Sequence, residues 1–203
     1  MKRLLVLIFI IISQIIVSCK KDDLRSDCKS RYYYYNSEKI NLIEIPNLGC
    51  ISFYDTLSTE TINQILEQYS EIHVLSIPSY SNHAFVSIDS ENCNETAKLF
   101  AKIKNHSKIS NCSKFLVSEE GFTLGITDVF VCVLKSGTSL SEITELVNNN
   151  HTEILESKSS NNRLIIRADK HSNGDALDVA NKFFESGLFE YAEPEFFANY
   201  GTY

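Results

Sequence analysis

The chain has 203 residues, of which 19 are Lys or Arg and 26 are Asp or Glu, so its formal net charge is −7 at pH 7. A chain this acidic repels phosphate backbones, which argues against a nucleic-acid-binding protein. The length allows one medium domain or two small ones.

The N-terminal segment 1–18 has the pattern of a secretory signal. Lys2 and Arg3 precede an apolar run at 4–12, and Ser18 precedes Cys19. This resembles a bacterial lipoprotein signal peptide, which implies that Cys19 is lipidated as the first residue of the mature chain. An uncleaved membrane anchor is the weaker alternative, because the run is shorter than the roughly 20 residues that a spanning helix needs. Removal of 1–18 leaves 19–203 as the mature chain, and the loss of Lys2 and Arg3 takes the net charge from −7 to −9.

Residues 19–31 are polar, charged and without periodicity, so we interpret them as a tether between the lipid and the folded part. The stretch at 20–23, Lys-Lys-Asp-Asp, resembles the export tag of surface lipoproteins in Bacteroidetes. The resemblance implies an outer-membrane lipoprotein that is exposed on the cell surface, with a periplasmic location as the alternative.

Five cysteines remain besides Cys19. An exported protein can form disulfides, and an odd number predicts at most two bridges with one thiol left over. None of the cysteines forms a Cys-x-x-Cys pair, and the five histidines are scattered singly. We therefore predict no metal site and no cofactor, because zinc sites usually contain closely spaced ligand pairs.

The first unit is predicted at 32–120 and begins with four consecutive tyrosines that favour strand entry. Ser58 is placed to cap a helix whose apolar face includes Ile62 and Ile65. Period-two and period-3.6 patterns place strands at 42–45, 50–54, 73–77, 84–88 and 109–117, and a second helix at 94–105.

The second unit is predicted at 121–203 and repeats this order. Its strands are predicted at 128–134, 152–157, 164–168 and 188–193, and its helices at 140–148 and 175–185. Gly187 supplies the left-handed residue that ends the last helix, and Pro194, which cannot donate to a ladder, is predicted to lie on an edge strand or at a strand end. Similar stretches recur at one constant offset, as in 85–88 with 165–168 and 109–112 with 189–192. The fold class is thus α+β, with two tandem ferredoxin-like βαββαβ units whose antiparallel sheets carry helices on one face.

The run from Ala176 to Phe197 resembles the closing helix and strand of the propeptide of subtilisin-like serine proteases. That family's propeptide also has the βαββαβ architecture. The resemblance implies a partner, a subtilisin-like serine protease, that the protein inhibits or helps to fold. An ordinary βαβ-type domain that ends in helix, glycine and strand is the alternative.

The protein is not expected to be an enzyme. Gly137-Thr138-Ser139 echoes the nucleophile motif of subtilisin-like proteases, but Ser139 with Glu142 three residues later is typical of a capping box. The chain has no His-Gly-Thr and no Asp-Ser/Thr-Gly motif, so neither a base nor an orienting acid can be named. The adjacent carboxylates of Glu119 and Glu120 are predicted to lie in a solvated loop.

The resemblance nominates the residues that would contact a protease. Glu193 and Glu195 match acidic positions of the propeptide sheet that meet helix N-termini of the protease, where negative charge is favoured. Four further residues would enter the cleft as an added strand, with Tyr203 in the first pocket and Tyr200 in the fourth. They are Tyr200, Gly201, Thr202 and Tyr203. The terminal carboxylate would make the segment resemble a cleavage product. The alternatives are a solvent-exposed strand end without a partner for the two glutamates, and a frayed terminus without function for the last four residues.

The sequence therefore predicts a lipid-anchored, propeptide-like protease inhibitor or folding assistant. Two alternatives stay open, a non-enzymatic surface module that binds a protein or ligand, and a relic prodomain without activity.

Overall fold

The computed structural model of the protein describes residues 27–79 and 81–199. Within them the fold is α+β, with nine strands in one curled antiparallel sheet and four helices. The elements in chain order are β1 (Ser30–Tyr35), β2 (Glu38–Phe53), α1 (Thr59–Leu66), β3 (Ile72–Ser76), β4 (His83–Ile88), α2 (Cys93–Ile103), β5 (Ile109–Ser118), β6 (Thr123–Leu134), α3 (Leu140–Asn149), β7 (Glu153–Lys158), β8 (Arg163–Arg167), α4 (Ala176–Glu185) and β9 (Phe189–Asn199).

Each helix begins at a side chain that accepts a hydrogen bond from a backbone N–H of the first turn, as the local sequence requires. The four caps are Ser58, Asn92, Ser139 and Asp175. Gly187 follows α4 at φ 78°, a left-handed conformation in which an L side chain is strained. The caps Ser58 and Ser139 and the end of α4 agree with the prediction, whereas the caps Asn92 and Asp175 were not predicted.

The strands pair in two groups of four. In the first half of the fold (38–118) the order is β3-β4-β2-β5, and in the second half (123–199) it is β9-β6-β8-β7. The hairpin between β5 and β6 joins the halves, and Glu119 and Glu120 lie exposed in its turn, as predicted.

Each half has its own apolar core on the face that carries its helices. In the first half, α1 and α2 cover Ile51, Phe53 and Val86. In the second half, α3 and α4 cover Phe130, Cys132 and Ile166. A smaller cluster around Cys50 and Phe115 lies on the opposite face of the first sheet.

Pro46 interrupts the pairing of β2 without ending the strand. The register with β5 shifts between Ile45 and Gly49, because a residue without N–H cannot continue the ladder. Gly49 is needed here, since a Cβ at this position would lie 2.5 Å from the ring of Phe100. The two strands predicted at 42–45 and 50–54 are thus one strand with a bulge.

The sheet curls where the two halves meet. The first part of β2 pairs with β1 on one edge and with the end of β5 on the other, and the end of β9 pairs with the start of β6. The ring of Tyr33 in β1 lies 4.9 Å from that of Phe196 in β9, which nearly closes the curl. Leu42 and Leu116, both 1 % exposed, fill its interior.

The last residues of the tether predicted at 19–31 belong to the folded part. Ser30 and Arg31 belong to β1, and Cys28 forms a disulfide with Cys93 at the start of α2. Arg31 is held by Asp175 and Asp178 at 2.8 and 2.9 Å, contacts that no local pattern reveals. The prediction for 27–31 was therefore wrong, and Cys19 lies outside the described residues.

Among the described residues, no helix is both long and apolar enough to cross a membrane.

Candidate functional site: the open sheet face of the second half

One face of the second sheet carries no helix. Along β6, Phe130 and Cys132 point into the core and are fully buried, so the alternate residues Val131 and Val133 lie on the other face. Val131 pairs with Ile165 on one side and Glu193 on the other, and Val133 pairs with Tyr191. We call these five residues, Val131, Val133, Ile165, Tyr191 and Glu193, the open face. Tyr191 is 38 % exposed and the other four are half-buried.

The open face combines an apolar stripe with one carboxylate. Burial raises the pKa of Glu193, because desolvation disfavours the charged form. A hydrogen-bond donor from a partner would therefore offset part of the free-energy cost of desolvating this carboxylate. Such a surface suits a partner that offers apolar area around unpaired N–H groups.

The second acidic residue predicted for the site lies farther along β9. Glu195 is exposed, and one of its carboxylate oxygens accepts a hydrogen bond from Thr127 Oγ1 at 3.1 Å. Between the two glutamates the pairing with β6 shifts register, because Pro194 pairs opposite Phe130 and the next pair is Phe196 with Ile126. Both predicted acidic residues thus belong to one strand, and only Glu193 lies in the middle of the open face.

Pro194 lies on an edge strand, one of the two places predicted for it, because β9 pairs only with β6 among the described strands. The strand itself does not end at 193, where the prediction ended it. β9 continues through Pro194 to Asn199, and Phe197 and Asn199 pair with Gly125 and Thr123. The irregular register between Ile126 and Phe130 accommodates the proline, which cannot donate to a ladder. The other predicted contact residues, Tyr200, Gly201, Thr202 and Tyr203, lie outside the described residues.

The equivalent face of the first sheet is covered. Cys50, Ser52 and Ser113 are 0, 1 and 5 % exposed although no helix lies over them. The second half covers this face, since the Phe197 ring lies 5.0 Å from that of Phe85 and Phe115 packs at Gly125. Among the described residues, only the second group of four strands therefore leaves its helix-free face uncovered.

A buried polar cluster at the junction of the halves was not predicted. The Ser110 hydroxyl donates to Asp128 Oδ2, Asn111 donates to the carbonyl of Ala168 at 3.2 Å, and Arg167 Nε lies 3.3 Å from Asp128 Oδ2. Burial raises the pKa of Asp128, which is fully buried. These residues lie far apart in sequence, so their association follows from the way the halves pack. Their contacts indicate a role in joining the halves.

His83 lies beside this junction. It is 4 % exposed, its Nδ1 is 3.1 Å from Ser52 Oγ, and its ring meets that of Phe197 at 5.7 Å. Burial lowers the pKa of His83 to about 4, so the ring is neutral at physiological pH. The residue packs as a neutral aromatic ring.

A cleft of about 380 Å³ lies between β1 and α4, but its charges are already paired. Arg31 contacts Glu44, Asp175 and Asp178, and the Tyr32 hydroxyl donates to Glu185 at 3.0 Å. We assign this cleft a structural role, since the ion pairs attach β1 to the second half.

The cysteines form one bridge, between Cys28 and Cys93, and Cys50, Cys112 and Cys132 are free and buried. The prediction allowed two bridges with one free thiol. Burial raises the pKa of Cys112 and of Cys132 to about 12, so neither is a thiolate at neutral pH.

Asp27, Cys28 and Cys93 also form the one cluster of possible metal ligands among the described residues. The two sulfurs are bonded to each other, and the Asp27 carboxylate accepts hydrogen bonds from the amides of Cys93 and Asn94 at 3.2 and 2.8 Å. The cluster is therefore explained by a disulfide and a helix cap.

Ser139 has the role predicted for it. Its hydroxyl accepts a hydrogen bond from the Glu142 amide, and its own backbone N–H donates to the Glu142 carboxylate at 3.0 Å, which completes a capping box at the start of α3. The Gly-Thr-Ser motif is thus a turn and a helix start.

Comparison with known proteins assigns no family to this geometry. No protein-family model and no curated protein matches the chain. Among solved structures, the chain is similar to the crystal structure of the acetolactate synthase small subunit from Thermotoga maritima, with a TM-score of 0.27 and 6 % identity over 77 % of this chain and 98 % of that one. A likeness at this level assigns neither function nor partner.

Proposed function

We propose that the protein is a lipid-anchored, propeptide-like protein that binds a subtilisin-like serine protease and inhibits it, or assists its folding. The contact would use the open face of the second half and the segment that follows Asn199. In this proposal the protein is not an enzyme, needs no cofactor and acts only by binding.

The proposal treats each half as one ferredoxin-like βαββαβ unit. The strand orders β3-β4-β2-β5 and β9-β6-β8-β7 support this, because each is the ferredoxin-like order for its four strands. A shared irregularity gives further support. Leu75 in β3 and Leu155 in β7 are both exposed, both lie at a register shift, and are separated by the offset of the sequence repeat.

The open face carries the proposal. It is an apolar stripe with Glu193 at its side, and it lies on the strand that leads directly into the C-terminal segment. A carboxylate on an apolar sheet face is suited to helix N-termini, whose amides and dipoles favour negative charge. The segment after Asn199 would then lie extended in the active-site cleft and pair with its edges as an added strand.

The experiment is a titration of purified residues 20–203 against a panel of subtilisin-like proteases. We expect peptide hydrolysis to slow at micromolar concentrations of the protein. Deletion of Tyr200 to Tyr203 should weaken inhibition far more than it lowers the melting temperature. No slowing with any protease would contradict the proposal, and equal loss of both properties would assign the segment a structural role.

The alternative function, a general surface-binding module, can be distinguished from protease inhibition by two variants. Binding that survives deletion of Tyr200 to Tyr203 but is lost on Val131→Lys would favour it. In that case a partner would use the open face without entering through the C-terminal segment.

The membrane anchor belongs to the same proposal. Cys19 would carry the lipid, and the protein would sit in the outer membrane, either exposed on the surface or facing the periplasm. Metabolic labelling with palmitate should mark the wild-type protein and leave Cys19→Ala unlabelled. Labelling of the alanine variant would disprove lipidation at Cys19.

A further inference from the structure

The last part of β9 is held from both faces. Phe196 packs with its ring 4.9 Å from that of Tyr33, inside the curl of the sheet. Phe197 points the other way, as neighbouring strand residues do, and its ring lies 5.0 Å from Phe85 and 5.7 Å from His83. Three aromatic contacts, one with β1 and two with β4, thus hold the end of β9 in place.

Side chains of the first half form the surface against which Phe197 packs. Phe85 packs edge-on against Phe115, with ring centroids 5.7 Å apart, and Phe115 lies against Gly125, the cross-strand partner of Phe197. A Cβ at position 125 would come within 2.8 Å of the Phe115 ring, so glycine is required for this contact. His83 is oriented by Ser52 at 3.1 Å. The side chains under β9 therefore fit one arrangement of this strand.

We infer that the first half is a positioning platform, which holds the end of β9 in one arrangement, with Phe197 as its positioning residue. The inference rests on the proposed function. A segment whose root is already ordered loses less conformational entropy on entering a cleft than one on a frayed strand. The first half would thus increase inhibition without touching the protease.

The direct test is a two-glycine insertion between Asn199 and Tyr200, beyond the described residues and outside both cores. A platform that fixes the root predicts an inhibition constant at least about tenfold weaker, with an unchanged melting temperature. The matched control is the same insertion between Ser160 and Asn161, in the exposed turn between β7 and β8. It should leave inhibition unchanged.

A second test removes the clamp itself. Phe197→Ala should speed amide hydrogen exchange at 196–199 by about tenfold or more and weaken inhibition, because local opening no longer breaks the contact with Phe85. Phe197→Tyr should restore both. Tyr191→Ala, on the same strand but exposed, should leave exchange at 196–199 as in the wild type.

The results distinguish failure of the proposed protease inhibition from failure of the positioning platform. If the wild type inhibits no protease, the proposed function fails, and amide exchange alone still decides whether the first half orders the end of β9. Unchanged exchange at 196–199 in Phe197→Ala would overturn the platform. So would a two-glycine variant that inhibits as well as the wild type.

Discussion

The two halves of the protein have matching sheet faces with different surroundings. Cys50 pairs with Phe85 and Ser113, and Val131 pairs with Ile165 and Glu193. By their places in the two strand orders, Cys50 therefore corresponds to Val131, and Ser113 corresponds to Glu193. Cys50 and Ser113 are at most 5 % exposed, whereas Val131 and Glu193 are half-buried on an uncovered face. One face packs against the other half of the molecule, and none of the residues that the structure describes covers its counterpart.

The difference follows from the side chains on each face. The first face carries uncharged side chains, among them Phe85 and Phe115, and the aromatic ring of Phe197 packs against them. The second face carries a carboxylate and an exposed tyrosine, which favour contact with water or with a partner. Two groups of strands with matching order therefore differ in the chemistry of their helix-free faces.

The largest expected effect concerns the disulfide at the start of α2, which has no counterpart at the matching position of the second half. Cys28 and Cys93 are joined across 65 residues, and the position that matches Cys93 in the second half of the repeat is Asn173. Loop-closure entropy predicts that replacing both cysteines by serine lowers the free energy of unfolding by about 4 kcal/mol. Urea denaturation measures it. Reduced wild-type protein should match the double variant, and an unchanged midpoint would show that the bridge does not restrain the unfolded chain.

The next effect tests the closed face. Ser113→Glu introduces the residue of the matching position into a site that is 5 % exposed. A buried carboxylate without a partner should lower the free energy of unfolding by between about 3 and 4 kcal/mol. The reverse change, Glu193→Ser, should alter it by less than about 0.5 kcal/mol and weaken protease inhibition. Equal costs for the two changes would mean that the faces do not differ in burial.

A smaller effect concerns the pH dependence of the closed face. His83 has an ordinary pKa of 6.5 when unfolded and about 4 when folded, because burial disfavours its charged form. The unfolded chain takes up the proton first, so stability is lost as the pH falls from about 6.5 to about 4. The loss should be roughly 3 kcal/mol at the lower end.

His83→Asn, which does not titrate, is the control for this loss. Denaturation of both proteins at pH 7 and pH 4 gives the difference. Parallel losses in wild type and variant would assign the acid sensitivity to other groups.

Much of the fold was predictable because its signals are local. Ser58 and Ser139 cap the helices that follow them, and Gly187 follows the last one in a left-handed conformation. The apolar run at 128–134 predicted a strand, which is part of β6. Glu193 was nominated by resemblance, and it lies at the open face.

Other features depend on contacts between distant residues. The last strand was predicted only as far as 193, but a register shift opposite Pro194 lets β9 continue to Asn199. Arg31 was placed in a tether, yet two carboxylates of the second half bind it. The junction cluster of Ser110, Asn111, Asp128 and Arg167 has no local pattern at all.

The sequence by itself determined the order of helices and strands, since caps, glycines and hydrophobic periodicity act within a few residues. It also indicated an internal repeat at a constant offset. Which of the two sheet faces would be covered was decided only in the tertiary structure. That outcome depends on how closely β6 and β9 can approach the side chains of Cys50, Ser52 and Ser113, a property of shape and charge across the whole fold.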